Sequence, residues 1–287
     1  MSITKDYAAE YRNDARSTDE LLGLALTKDA DRDDDAYWKP IAALQHRLPQ
    51  NLKRIQELSG SSDEKSRDTA ATILGQGWVG TKSSVDRCAE ILLLMLATER
   101  STAVLASIIF ALGHLHDSRA IEPLVNLIRH PDAKVRYAVD SSLCGINENQ
   151  AIEAMIACSS DQDRDVRNWA TFGLGAQIDT DTPAIREAFI ARLDEKDDEI
   201  RGEAIVGLAR RGDLRVLAPL LKELNAKELD GLADWILNDE AVEALAEHAS
   251  ADSPRELLLV LTKLAALGIG EKDKLQAAIN RCAASSE

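Results

Sequence analysis

A short pattern of residue types recurs along most of this chain of 287 residues. Each copy has an Asp or Ser, a residue four places later that is Arg in four copies, and a third residue, usually small, eight places further on. The copies are Asp33, Tyr37 and Gln45; Asp63, Arg67 and Gly75; Ser101, Leu105 and Gly113; Asp132, Arg136 and Cys144; Asp163, Arg167 and Gly175; and Asp197, Arg201 and Ala209. Such a period, with two helical segments per copy, is typical of α-solenoids. The sequence therefore predicts an all-α fold, a right-handed superhelix of roughly eight helical hairpins whose inner face is made from the second helices.

The first helix of each copy is indicated by its start and by an apolar stripe. The Asp or Ser has a short side chain whose oxygen can accept hydrogen bonds from the free N–H groups of the first turn. Apolar residues at every fourth position then predict one buried face. In three copies this stripe consists of Val135, Val139 and Leu143; Val166, Ala170 and Leu174; and Ile200, Ala204 and Leu208.

Second helices are expected over residues 120–128, 151–158, 184–193 and 215–224. Ser17 and Glu20 have the spacing of a capping box and predict an earlier helix. Residues 226–249, 253–268 and 271–283 predict helices with weaker repeat character, as the ends of a solenoid often have. We expect a single solenoid over residues 1–287, with N-terminal capping helices at 1–32, six repeats at 33–224 and degenerate C-terminal helices at 225–287.

The net charge of −15 disfavours binding to nucleic acid or to an anionic membrane, and it favours a protein partner with a basic surface. The longest fully apolar run, at 91–97, is too short to span a bilayer, and we expect a cytoplasmic protein.

The charge is distributed unevenly along the chain, with a net charge of −6 over 227–247 and of +3 over 201–222. The basic segment contains Arg210, Arg211 and Arg215. These segments either orient a charged partner or form solvated helix faces.

The repeated acidic and basic positions have two interpretations. Stacked repeats would align the arginines into a ladder that grips anions, or the same residues would join neighbouring repeats and pair within their own helices. Four copies of one feature favour the structural role. The residues of this predicted ladder are Asp63, Arg67, Asp132, Arg136, Asp163, Arg167, Asp197 and Arg201.

Trp169 interrupts the regularity of the repeats, because the matching residues of other copies are Thr69, Ala138 and Glu203. Its ring either anchors a partner or fills a gap between helices, with Gly173 one turn later leaving room for the indole. Neighbouring residues of the same row complete the candidate partner-binding set, which consists of Tyr137, Asn168, Trp169 and Phe172 together with the three arginines of the basic segment.

No catalytic constellation is evident from the spacing of reactive residues. A nucleophile, a base and an orienting group do not stand together, and the carboxylates occupy cap and surface positions. His114 and His116 lack further ligands at a metal-binding spacing. We expect no catalytic residue, no cofactor and no metal.

Three segments, DAKVRYAVDSSLCG, DRDVRNWATFGLG and DDEIRGEAIVGLARRGD, resemble HEAT repeats, specifically the short bacterial type also called phycobilisome-lyase-like. The resemblance extends more loosely over residues 33–224. It implies an α-solenoid and a scaffold that binds a protein without catalysis. Similar small bacterial proteins are proposed as immunity or accessory proteins beside toxins, which implies that the partner is bound and neutralised.

Two further functions remain open at this point. Similar repeats occur in phycobilin lyases, so the resemblance also allows a bilin lyase or isomerase subunit. A HEAT-like DNA glycosylase shares the architecture, but that function needs a cationic groove for phosphates, which the acidic balance of the chain opposes.

Overall fold

The computed structural model describes residues 11, 13–27, 35–75, 82–225 and 239–284. Every regular element within these ranges is helical, which confirms the all-α class. The helices are α1 (Thr18–Ala25), α2 (Asp35–Gln45), α3 (Leu48–Ser59), α4 (Glu64–Leu74), α5 (Lys82–Thr98), α6 (Thr102–Leu115), α7 (Ile121–Val125), α8 (Ala133–Leu143), α9 (Asn149–Cys158), α10 (Arg164–Ala176), α11 (Pro183–Ile190), α12 (Asp198–Arg210), α13 (Leu217–Leu224), α14 (Asp239–Glu247), α15 (Arg255–Leu267) and α16 (Lys272–Ala283). Short 3-10 turns at Ser118–Ala120 and Leu214–Val216 precede α7 and α13.

The predicted helix starts are confirmed by their capping hydrogen bonds. The side chains of Asp63, Ser101, Asp163 and Asp197 each accept a hydrogen bond from a backbone N–H in the first turn of α4, α6, α10 and α12. Ser17 and Glu20 form the reciprocal capping box that begins α1. The cap predicted at Asp33 lies outside the described residues.

The chain divides into two compact units, Met1–Leu143 and Cys144–Glu287, called here the N-terminal and the C-terminal unit. The N-terminal unit holds α1 to α8 and the C-terminal unit holds α9 to α16. The expected single array, with its three segments, stays a prediction.

In the N-terminal unit, first helices pack on first helices in chain order. Helix α2 contacts α4, α4 contacts α6 and α6 contacts α8, while α3 contacts α5 among the second helices. Small residues allow this close approach. A Cβ added to Gly75 would lie 2.7 Å from the Cβ of Ala111, and one added to Gly113 would lie 2.7 Å from the Cβ of Ser142. The recurring small residue therefore marks where neighbouring first helices touch.

The C-terminal unit is built in the same way. Helix α10 packs on α12 and α12 on α14, while α9 packs on α11 and α13 on α15. Helices α14 and α15 therefore continue the two rows as one more hairpin, and α16 packs on both of them. The predicted 226–249 helix is described only from Asp239, since residues 226–238 lie outside the described ranges.

The predicted apolar stripes form the cores of both units. All nine residues of the three stripes predicted from the sequence have no exposed surface. Helix α7 is shorter than the second helix predicted at 120–128. After Val125 the chain continues as tight turns, in which the Leu127 N–H donates to the Leu124 carbonyl oxygen three residues back. In the described part of the chain, no helix has both the length and the apolar character needed to cross a membrane.

Candidate partner-binding surface

Each arginine of the repeat series bonds to the loop that precedes its own helix. The guanidinium Nη1 donates to carbonyl oxygens six residues earlier and, in three copies, five residues earlier. The pairs are Arg67 with Ser61 and Ser62 at 3.0 and 3.1 Å, Arg136 with His130 and Pro131 at 2.8 and 3.1 Å, Arg167 with Asp161 and Gln162 at 2.8 and 3.2 Å, and Arg201 with Glu195 at 2.7 Å. These bonds satisfy carbonyl groups that no helix uses.

Three of these arginines also pair with a carboxylate at the end of their own hairpin. Their Nε atoms lie 2.7 Å from Glu99 for Arg67, 3.2 Å from Glu195 for Arg167 and 2.7 Å from Glu223 for Arg201. The side chain of Glu99 is 4% exposed, and the hydrogen bonds from Arg67 lower its pKa to about 2. The three guanidiniums thus already face an anion inside the unit that contains them.

One capping aspartate, Asp197, also joins two neighbouring repeats. Asp197 caps α12 and also accepts a hydrogen bond from Arg164 Nε of α10 at 2.8 Å, and Arg164 bonds to Glu199 as well. Asp132 accepts from the backbone N–H of Lys134 at 2.8 Å. The contacts of the predicted ladder thus lie at the ends of helices and at the joints of hairpins.

Trp169 and Phe172 form a half-buried aromatic pair on α10, a first helix. Their ring centroids are 5.3 Å apart and their planes are inclined by 46°. Gly173 does not make room for the indole as the sequence suggested, because a Cβ added to it would meet the sulfur atoms of Cys144 and Met155 first, at 3.2 and 3.3 Å. The Oδ1 atom of Asn168 is buried and accepts no hydrogen bond from the described residues.

Carboxylates accompany the aromatic pair. Asp165 is exposed and lies one turn before Trp169 on α10. Glu203, on the neighbouring helix α12, holds the position that corresponds to Trp169 in its own repeat. Burial raises the pKa of Glu203 to about 7, and the negative charge of Glu199 adds to the shift. Asp165 and Glu203 therefore place two carboxyl groups on the helices that carry and adjoin the aromatic pair, and the sequence pattern had indicated only the rings.

The basic segment is largely used inside the C-terminal unit. The side chain of Arg211 is 5% exposed, and its Nη2 donates to the carbonyl oxygens of Leu174 at 2.8 Å and Thr180 at 3.0 Å. Its guanidinium carbon lies 5.2 Å from the centroid of the Phe189 ring. Arg211 is therefore a buried internal contact and not the exposed partner-binding residue expected from the sequence, because the last turn of α10 and the loop after it turn carbonyl groups towards it.

Arg210 and Arg215 are more exposed than Arg211 but are also engaged. Arg210 donates to the Gly175 carbonyl oxygen at 2.7 Å. Arg215 pairs with Asp213 at 2.6 Å and with Glu187 at 2.5 Å. The positive charge of the segment is thus compensated by groups of the same unit, which leaves the C-terminal unit acidic on balance.

The N-terminal unit has an aromatic row of its own. Tyr137 of α8 packs edge-on against Phe110 of α6, with 6.4 Å between ring centroids. Trp38 of α2 is 44% exposed. The sequence pattern indicated Tyr137 but not Phe110 or Trp38, although Trp38 follows the Tyr37 of the first copy just as Tyr137 and Asn168 follow their arginines.

The fold and the repeated contacts define a class of protein. HEAT repeats match residues 89–175 and 156–236, which together span just over half of the chain. The chain belongs to the HEAT-repeat family.

Among proteins of known sequence, Protein YibA of Escherichia coli strain K12 is 30% identical over 231 residues, which are 77% of this chain and 79% of YibA. The X-ray structure of Escherichia coli YibA superimposes with a TM-score of 0.72 at 26% identity and covers 98% of each chain. The crystal structure of Kap121p matches 93% of this chain and 33% of Kap121p, with a TM-score of 0.58 at 12% identity, a likeness of fold alone.

Proposed function

We propose that this chain is a non-enzymatic scaffold whose C-terminal unit binds a partner protein with a basic surface, and that binding neutralises or regulates this partner as an immunity protein would. The observation that carries the proposal is the half-buried aromatic pair Trp169 and Phe172 on α10, with Asp165 one turn earlier on the same helix and Glu203 at the matching repeat position of α12, which packs on α10. Large aromatic side chains contribute much of the binding energy in protein interfaces, and carboxylates around them select a positively charged partner.

The distribution of charge supports the choice of unit. Residues 144–287 contain 16 Lys and Arg against 28 Asp and Glu, a net charge of −12, whereas residues 1–143 contain 18 against 21. A field of one sign attracts a partner of the other sign and accelerates its association, most strongly at low ionic strength.

Membership in the HEAT-repeat family supports a binding role in general terms. In one crystal structure, the fold relative Kap121p is bound to Nup53p, which illustrates that helical hairpins of this kind hold another protein. Rigid helices lose little conformational entropy on association, so a shallow surface can bind firmly. We infer that the binding surface is on the first helices near Trp169, although the sequence favoured the second helices.

The bilin lyase or isomerase and the DNA glycosylase gain no specific support from the described residues. Neither is proposed.

The proposal is tested with the proteins encoded by the genes next to this one, each purified and titrated against the chain. One of them should bind with a dissociation constant that rises as salt is added. Trp169→Ala should weaken that binding by about 30-fold, the loss expected for an interface residue worth about 2 kcal/mol. Leu259→Ala, which removes an apolar side chain that is 49% exposed on α15, is the matched control and should leave binding unchanged.

Three results would contradict the proposal. The first is that no neighbour binds at low salt. The second is equal binding by the Trp169→Ala and Leu259→Ala variants while circular dichroism shows both folded, and the third is binding that salt does not weaken. If the bound neighbour stops growth when expressed alone, co-expression of this chain should restore growth and the Trp169→Ala variant should fail to do so.

A further inference from the structure

A groove between α10 and α12 is bounded by two contacts at different heights of the C-terminal unit. Near the start of both helices, Arg164 of α10 bonds to Glu199 of α12. Further along, the helices approach at Gly175, where an added Cβ would lie 3.4 Å from the backbone oxygen of Glu203 and 3.5 Å from the Cα of Gly207. Glu199, Glu203 and Gly207 follow each other at every fourth position, so they form the row of α12 that faces α10.

Two side chains of α10 lie between these contacts. Asn168 is four residues after Arg164, and Phe172 is three residues before Gly175. Residues at such spacings share one side of a helix, which is here the side that faces α12. Glu203 lies between the same two contacts on α12, so its side chain and those of Asn168 and Phe172 line one groove. All three are half-buried, which places them where the groove opens to solvent.

Glu203 differs from the other half-buried glutamates of this unit. Among the described residues, no N–H or O–H group donates a hydrogen bond to its carboxylate and no cation pairs with it. By contrast, Glu195 pairs with Arg167 and Glu223 pairs with Arg201. A carboxylate that is largely removed from water costs free energy unless it is protonated or meets a cation. The groove therefore has an unmet preference for a positive charge.

The charged groups around α12 do not supply that cation. Helix α12 packs on α10, α11, α14 and the 3-10 turn at Leu214–Val216. The described charged side chains of these elements are Arg164, Asp165, Arg167, Arg186, Glu187, Arg215, Glu243 and Glu247. Each of the four arginines pairs with a carboxylate other than Glu203. Burial raises the pKa of Glu203 to about 7, and Glu199, one turn earlier on α12, is the charged group that adds to this shift.

The other walls of the groove also suit a cation. The Oδ1 atom of Asn168 is buried and accepts no hydrogen bond from the described residues, and the face of the Phe172 ring carries negative partial charge. We propose that the groove between α10 and α12 binds one basic side chain, a lysine or an arginine, of the partner protein, with its cation near the Glu203 carboxylate, the Asn168 amide oxygen and the Phe172 ring. This inference rests on the proposed function, whose partner supplies the side chain. Because the cation favours the ionised form of Glu203, binding releases the proton that Glu203 holds at lower pH.

The experiment uses N-acetyllysine amide as a probe on the full chain, and N-acetylnorleucine amide, which lacks the ammonium group, as the uncharged comparison. Binding is followed at constant ionic strength by the backbone N–H signals of Asn168 and Phe172 in two-dimensional NMR spectra. We expect the lysine probe to shift these signals saturably in the millimolar range and to bind about 5- to 10-fold more tightly at pH 8 than at pH 5.5, because a carboxyl group with a pKa of about 7 is mostly protonated at the lower pH. The norleucine probe should bind more weakly at pH 8 and equally at both pH values.

Two variants separate the groove from general electrostatic attraction. Glu203→Gln keeps the shape of the side chain and removes its charge, so it should weaken binding of the lysine probe at pH 8 by about 5- to 10-fold and abolish the dependence on pH. Glu153→Gln removes an exposed carboxylate from α9, a second helix of the same unit, and is the matched control that should change neither. Circular dichroism verifies that both variants are folded.

Four results would overturn the inference: signals that the lysine probe does not move, equal binding of the lysine probe at both pH values, equal binding of the two probes at pH 8, or full affinity in the Glu203→Gln variant. The probe needs no partner protein, so its result is independent of the search for one. If the probe behaves as expected and no neighbouring gene encodes a partner, the proposed function fails alone. If a partner binds through Trp169 and the probe ignores Glu203, the groove fails alone.

Discussion

Gly113 provides a direct test of why a small residue recurs in each repeat. It lies within α6 against α8, where an added Cβ would be 2.7 Å from the Cβ and 3.0 Å from the Cα of Ser142. Favourable contacts between carbon atoms begin at about 3.5 Å, so Gly113→Ala requires the two helices to separate locally. Overpacking of this kind costs about 1–3 kcal/mol.

The same substitution also brings a gain, because Ala is favoured over Gly inside helices by about 1 kcal/mol. Gly23 of α1 isolates that gain, since a Cβ there would meet nothing within 4 Å. We therefore expect Gly23→Ala to stabilise the protein and Gly113→Ala to be neutral or destabilising by up to about 2 kcal/mol, so the two variants differ by about 1–3 kcal/mol.

Urea denaturation followed by circular dichroism measures both free energies of unfolding. A second-site variant sharpens the comparison. Ser142→Gly removes the two nearest atoms that Gly113→Ala would meet, Cβ and Oγ at 2.7 Å, and keeps the Cα at 3.0 Å; it also removes the hydrogen bond from Ser142 Oγ to the Ile109 carbonyl oxygen at 3.0 Å. In the double variant, the cost of Gly113→Ala should fall by at least about 1 kcal/mol. Close contact between α6 and α8 at Gly113 would be refuted if Gly113→Ala stabilised the protein as much as Gly23→Ala does, or if the free-energy changes at Gly113 and Ser142 were additive.

Two carboxylates should give opposite dependences of stability on pH. The pKa of Glu99, held at about 2 by Arg67, is lower than the ordinary value of 4.5, so its contribution is present above about pH 4.5 and is lost as the pH falls to about 2. Glu99→Gln should lower the free energy of unfolding by about 2–3 kcal/mol at neutral pH and by much less near pH 2, as measured by urea denaturation. The pKa of Glu203, raised to about 7, implies that the wild-type fold loses stability as the pH rises from about 4.5 to about 7. Glu203→Gln should be more stable than wild type by about 1–3 kcal/mol above pH 7 and equal to it near pH 4; a constant difference at all pH values would contradict the burial of this carboxyl group.

Features encoded within one helix could be predicted from the sequence. The caps at Asp63, Asp163 and Asp197 and the buried stripes follow from short-range spacing, and the structure confirms them. Helices α15 and α16 begin within two residues of the predicted positions for the same reason.

Features that depend on contacts between distant residues could not be predicted. The burial of Arg211 depends on where the carbonyl groups of Leu174, in the last turn of α10, and of Thr180, in the loop after it, lie, and these residues are 37 and 31 positions away; its charge alone suggested an exposed position. The raised pKa of Glu203 likewise depends on how much of its side chain the neighbouring helices cover. The groove between α10 and α12 requires both helices to be placed next to each other before Phe172 and Glu203 can be recognised as facing one space.

The bonds from each arginine to the loop before its helix have a consequence for how such genes change length. The donor and its carbonyl acceptors are separated by only five or six residues, so a duplicated stretch of DNA that encodes one loop and its helix brings both the guanidinium and these carbonyl oxygens with it. A newly inserted copy would therefore carry the groups that close its own loop, whereas the carboxylate that pairs with the arginine Nε lies 22 to 32 residues further along the chain.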